Sequence, residues 1–245
     1  MALIVEIKTG IPIVDPPVHK IQLAVQMELL KENPDLKTPG LAKMVKADNM
    51  GIERHWYELD GKKITGITTY LSQLVTWKYE DDYYARRGKF VHQMLQFIDE
   101  RPGFNWKPYL EVNMEGHPDQ EFVGTCIENY LKFKDEYKLA GLQVLSEVPL
   151  ASGKMEVAAT LDKIFITPGI PRMILLYLGK KFEVVEVKSR EVPFLINDFR
   201  VIRRMWQMTK GKFTPPDALD DLEKIYNGEK VRENLKKYIK ERRKP

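Results

Sequence analysis

Cysteine is almost absent from this chain of 245 residues: Cys126 is the only one. A single thiol cannot close a disulfide within the chain, which points to a reducing compartment and so to the cytoplasm. It also excludes a four-cysteine zinc or iron–sulfur site. Long apolar runs are absent as well. None approaches the roughly 18 residues needed to cross a bilayer, so no membrane association is expected. Near the start, Glu6 and Lys8 interrupt the apolar stretch, which is not the layout of a secretory signal. Nor is there a large excess of either charge. Lys and Arg number 39 against 35 Asp and Glu, a formal net charge of +4. That mild basicity permits a nucleic-acid partner without requiring one.

The remaining composition is that of an ordinary globular protein, 43% hydrophobic and 30% charged, with enough apolar material for a core. Residues 3–10 carry β-branched Ile4, Val5 and Ile7 and read as a strand. A helix is expected from Val18 to Lys31, with Ile21, Ala24, Val25 and Leu29 as its apolar stripe. TPGLAKM, 38–44, reads as a linker, and 52–60 as a strand that turns at Gly61. ITGITTYLSQLV, 64–75, passes from strand to helix. A stronger helix spans 81–100, where Tyr84, Gly88, Val91, Leu95 and Ile98 share one face, and another spans 119–139. Strands follow at 142–150, 156–167, 172–178 and 181–189, then a helix at 194–209. Helices followed by a run of strands with helices indicate an α/β or α+β fold with a mixed central sheet flanked by helices. Residues 1–213 read as one domain. Residues 214–245 read as a basic helical tail, either a solvated chain end or a contact for a phosphate backbone.

Three charged residues sit where burial is costly. Asp162 stands between the apolar runs VAATL and KIFIT, and Glu6 and Lys8 lie two apart on a buried strand, so both project from one face. Carboxylates of this kind bind a hard divalent cation through oxygen. A lysine beside them can orient or activate an attacking water, or stabilise charge developing on a phosphate. Glu147, in LSEVPL, is open to two readings: a metal-shell or substrate residue, or an exposed strand acid.

Taken with their surroundings, these residues resemble the RecB-type branch of the PD-(D/E)XK nuclease superfamily. The resemblance covers most of 52–200 and the first 32 residues. ARRGKFVH, 85–92, is similar to the family's Arg-Gly and histidine motif, LSEVPL to its glutamate strand, and AATLD to its Gly-x-Leu/Ile-Asp strand, with Ala159 in the glycine position. VEIKTG is similar to the Asp/Glu-x-Lys-Thr-Gly strand, and HKIQLAVQ to the glutamine helix, with Gln26 where the family has tyrosine. The resemblance implies a restriction-endonuclease-like core and a nuclease, of phage, viral or recombination type, that hydrolyses phosphodiester bonds in single- or double-stranded DNA. It implies Mg²⁺ or Mn²⁺ held by His92, Asp162, Glu6 and a backbone carbonyl near Ile7. It makes Asp162, Glu6, Lys8 and Gln22 catalytic, and gives Glu147, Arg86 and Arg87 contacts to substrate, with Lys89 alongside. The same three cations also fit a solvated helix face. An exonuclease is expected first, a structure-specific endonuclease or a non-cleaving binding module of the same fold second. Similar exonucleases form ring-shaped oligomers, so a homo-oligomer is possible on the resemblance.

The motif order is unusual, because the Glu-x-Lys strand precedes the Asp strand. A rival pair, Glu186 and Lys188 in FEVVEVKS, follows Asp162 in the customary order. The first pair is preferred for three reasons. The strand directly after Asp162 is RMILLYL, which has no acid. Gln22 follows Lys8 at the family's distance, whereas nothing comparable follows Lys188. The last strands and helix also resemble the family's closing elements. The first 40 residues then read as a piece displaced from between Gly169 and Ile170, where TPG recurs at 167–169 as at 38–40. This arrangement requires the first strand to insert between strands made later.

Overall fold

The structure is a computed structural model that describes residues 2–9, 17–47, 53–72, 83–168 and 171–209. Its elements in chain order are β1 (Ala2–Thr9), α1 (Pro17–Glu32), β2 (Leu41–Ala47), β3 (Glu53–Leu59), β4 (Lys62–Gly66) and α2 (Ile67–Leu71). Then come α3 (Tyr83–Glu100), α4 (Trp106–Asn113), α5 (Gln120–Glu136), β5 (Val144–Ser152), β6 (Val157–Ile166), β7 (Arg172–Leu178) and β8 (Phe182–Val187). A short 3-10 helix, Ser189–Glu191, leads into α6 (Val192–Thr209). The basic tail 214–245 and the junction at Gly169 and Ile170 lie outside the described residues.

The chain divides into two compact units, with β5 split after Val148 and β6 split before Leu161. The first unit holds β1, α3, α4, α5, β7, β8 and the adjoining halves of β5 and β6. Here β1 runs antiparallel to β6 and parallel to β7, and β7 is antiparallel to β8. The early strand is therefore inserted between later ones, as its sequence requires. Its burial explains its composition. Ile4 and Val5 are both fully buried, so each face of β1 is covered and the strand reads as a continuous apolar run. Leu3, Val5 and Ile7 share a core with Val91 and Leu95 of α3 and with Ile127, Tyr130 and Phe133 of α5. Each such aliphatic side chain contributes about 1.5–3 kcal/mol by burial, before the entropy of ordering it. Ile4, Glu6 and Lys8 alternate onto the other face.

Gly88 lets α3 approach β1 closely. A Cβ there would lie 3.0 Å from the Thr9 hydroxyl. Gly88→Val is expected to lower stability by about 1–3 kcal/mol through overpacking, measured as a shift in urea midpoint.

In the second unit β2 and β3 pair antiparallel, as do β3 and β4, and β4 runs parallel to the first half of β6. Tyr57, Ile64, Ala151 and Ala158 form its small sheet core. Helix α1 packs against α6 and α2. It is buried nearly all round: Leu23 and Met27 are covered as well as the expected stripe of Ile21, Ala24, Val25 and Leu29. The linker expected at 38–44 is corrected. From Leu41 it is strand β2, whose Ala42, Lys43 and Met44 are exposed, so no alternating apolar pattern marks it. Helix α4 had no assignment from sequence. Its Pro108 lies in the first turn, where the missing N–H is tolerated. At this level the protein is a mixed α/β fold with mixed sheet pairing flanked by helices.

Candidate metal centre

The first unit gathers five ionisable side chains from four elements. From β1 come Glu6, which is 3% exposed, and Lys8, whose Nζ lies 2.7 Å from Glu6 Oε1. From β6 comes Asp162. The last pair of the β1–β6 ladder is Val5 with Lys163, so the next positions along it are Glu6 and Asp162. The Asp162 carboxylate closes the ladder by accepting the Ile7 backbone N–H at 2.7 Å. Two carboxylates facing each other across strands repel unless a cation or a proton comes between them.

From α3 comes His92, one turn beyond Gly88, with Nδ1 3.8 Å from Asp162 Oδ1. From β5 comes Glu147, with Oε1 3.6 Å from the same His92 Nδ1. Glu147 has a φ of 51° within a strand. A side-chain-bearing residue in the left-handed region costs of order 1 kcal/mol, and strain of this kind gathers where function over-determines the backbone. The kink turns the carboxylate toward His92. Ligand-type atoms of His92, Glu147 and Asp162 all lie within 4.8 Å of one another. Donors about 2.1 Å from a shared ion would be at most about 4.2 Å apart, so a small contraction suffices to hold one.

The electrostatics favour a cation. Burial pushes the Asp162 carboxyl up and Glu6 pushes it further, while His92 and Lys8 pull it back, leaving it at about 7. Burial alone would lower the His92 imidazole, but Asp162, Glu147 and Glu6 outweigh that and raise it. Lys8 follows the same pattern: burial lowers it, and Glu6 and Asp162 more than compensate. A divalent ion would take over the role of these protons. The donor set, carboxylate oxygens with one imidazole, fits Mg²⁺ or, with the nitrogen, Mn²⁺.

The other residues singled out in sequence are placed as follows. Gln22 and Gln26 are buried on α1 in the second unit, where Gln26 Nε2 donates to the Thr160 carbonyl at 3.2 Å. Arg87 stacks on the Phe122 ring at 3.9 Å and pairs with Asp119 at 3.2 Å, so its guanidinium braces α3 against α5. Arg86 and Lys89 are the exposed cations of that helix. The rival Glu186 is on β8 and accepts two hydrogen bonds from Arg172, at 3.0 and 3.3 Å. Lys188 caps the 3-10 helix, its backbone N–H donating to Glu191. One group had no sequence signal: Asp99, whose side chain is fully buried, lies between Lys134 and Lys163. The pairing becomes visible only when α3, α5 and β6 are brought together.

No protein-family model, curated protein or solved structure matches the chain. Among the described residues, no helix is long and apolar enough to cross a membrane.

Proposed function

We propose that the chain is a Mg²⁺- or Mn²⁺-dependent deoxyribonuclease, acting as an exonuclease on a restriction-endonuclease-like core. The observation that carries this reading is the convergence of His92, Glu147 and Asp162 beside the Glu6–Lys8 pair. Asp162, Glu147, His92 and Glu6 would hold the ion. The carbonyl of Ile7 is a further candidate, since a strand residue directs its N–H and C=O to the same side and the Ile7 N–H already meets Asp162. A bound divalent ion supplies Lewis-acid charge at the scissile phosphate and lowers the pKa of water.

The chain's own residues account for the remainder. Lys8, held protonated by Glu6 and Asp162, is a donor rather than a base. It positions the hydrolytic water or stabilises charge gathering on the phosphate oxygens. Glu6 fixes the lysine Nζ within hydrogen-bond distance. Arg86 and Lys89, exposed on the helix of His92, would meet the DNA backbone.

The test is incubation of the purified protein with linear and with closed circular DNA, in Mg²⁺, Mn²⁺ or EDTA. Metal-dependent loss of linear DNA alone is expected. Nicking of the circle would instead favour a structure-specific endonuclease. Mn²⁺ binding without cleavage of either substrate would favour a nuclease-fold binding module.

A further inference from the structure

Behind the metal centre lies a second charged cluster, and it touches the same elements. Lys163 is 3% exposed, an unusual position for a lysine, and follows Asp162 on β6. Its Nζ is 2.8 Å from Asp99 Oδ2 and donates to Ser146 Oγ at 2.8 Å. Asp99 is saturated from α5 as well. Lys134 Nζ donates to its Oδ1 at 2.6 Å and the Tyr130 hydroxyl to its Oδ2 at 2.7 Å. Burial, and then Asp99, push the Tyr130 phenol well above its ordinary range, which keeps it a neutral donor.

Each partner of Lys163 is next to a candidate ligand or on its element. Ser146 precedes Glu147. Asp99 lies about two turns beyond His92 on α3, so both fall on nearly the same helix face. Lys163 adjoins Asp162. One ammonium group therefore ties together the backbones that present all three ligand side chains. A buried ion pair is weak evidence for stability, because desolvation offsets most of its attraction, so its presence here calls for another explanation. The second observation is the left-handed backbone at Glu147, one residue from the Ser146 contact. A strained kink persists only where neighbouring contacts hold it.

We propose that Lys163 is a positioning residue for the metal centre. Through Ser146 and Asp99 it sets the spacing of Glu147 and His92 about Asp162, and so sets the affinity of the site for its divalent ion. The inference rests on the metal reading given above. Partners behind a ligand set commonly govern affinity by 10–100-fold, and that is the scale expected.

The experiment is Mn²⁺ titration by calorimetry of wild type, Lys163→Met, Ser146→Ala and Lys163→Arg, each with its urea midpoint. Lys163→Met leaves Asp99 paired with Lys134 and Tyr130, and Ser146→Ala removes a single hydroxyl. Both should remain folded while their Mn²⁺ dissociation constants rise by about 10-fold or more, with partial recovery in Lys163→Arg. Folded variants with a wild-type Mn²⁺ constant would overturn the proposal, even if their urea midpoints fall, because a purely structural pair shifts the midpoint alone. Should Lys163→Met not fold, Ser146→Ala decides in the same way. Absence of Mn²⁺ binding by the wild type would overturn the metal reading itself, a result distinct from unaltered binding in the variants.

Discussion

Lys8→Met is expected to reduce metal-dependent DNA cleavage by about 10²–10³-fold, the usual consequence of losing one donor aimed at developing charge. Its Mn²⁺ affinity should change far less, because Lys8 is not placed as a ligand. Lys188→Ala should cleave as wild type does. Lys188 caps the 3-10 helix after β8, and its neighbour Glu186 is engaged with Arg172 at the strand edge. Single-turnover cleavage rates of the two variants, with circular dichroism to confirm folding, separate the candidates. The opposite pattern, an inactive Lys188→Ala and an active Lys8→Met, would move the site to Glu186 and Lys188 at the end of β8. The direction of the Lys8 pKa bears on its role. A lysine raised by Glu6 and Asp162 stays charged across the neutral range and does not accept a proton from water.

Asp162→Asn is expected to abolish Mn²⁺ binding and yet to stabilise the metal-free protein at pH 8. The folded-state carboxyl is raised from its ordinary 3.8 to about 7, by burial first and by Glu6 second. The native protein therefore binds this proton more tightly than the unfolded chain does. Its contribution to stability is complete below about pH 4 and is lost as the pH rises through about 7. His92, also raised, loses stabilisation in the same direction. Asparagine keeps an oxygen for the Ile7 N–H but carries no charge to oppose Glu6. In EDTA, urea unfolding at pH 5 and pH 8 should show wild type less stable at the higher pH by of order 1–3 kcal/mol, with a shallower dependence in the variant. An Asp162→Asn protein less stable than wild type at pH 8 would show that the acids are already neutralised by protein groups. A cation would then relieve nothing.

Much of the fold is legible in local pattern. The apolar run of β1, the helical spacing in α3 and the strands from β5 to β8 each follow from period and composition, to within a few residues. Strand β2 is not legible, because its described outer residues are alanine, lysine and methionine, and its strand character comes from pairing with β3. The full burial of α1 is hidden for a related reason: packing by α6 and α2, not its own periodicity, covers the flanks of the stripe. In the site, Glu6, Lys8 and Asp162 stand out because charge in an apolar frame is costly, whereas His92 is marked only by the resemblance of ARRGKFVH to a histidine motif. Glu147 is ambiguous in sequence because a left-handed glutamate in a strand has no residue code, as a glycine there would. Lys163 is quieter still. A lysine after an aspartate in a strand reads as solvated, and only the third dimension puts Asp99 against it.

The position of β1 has a consequence for how the candidate centre is assembled. Ile7 and Asp162, joined by one hydrogen bond, are 155 positions apart. At ribosomal speeds of about 5–20 residues per second, Glu6 and Lys8 wait roughly 10–30 s for the strands that flank them. A nascent chain holding the lysine but neither Asp162 nor β7 has no assembled centre, so the cluster is completed only after β6 and β7 have been made. Such distant pairing also raises contact order and slows folding relative to a local hairpin. For a protein that would cut DNA, the same topology acts as a timer.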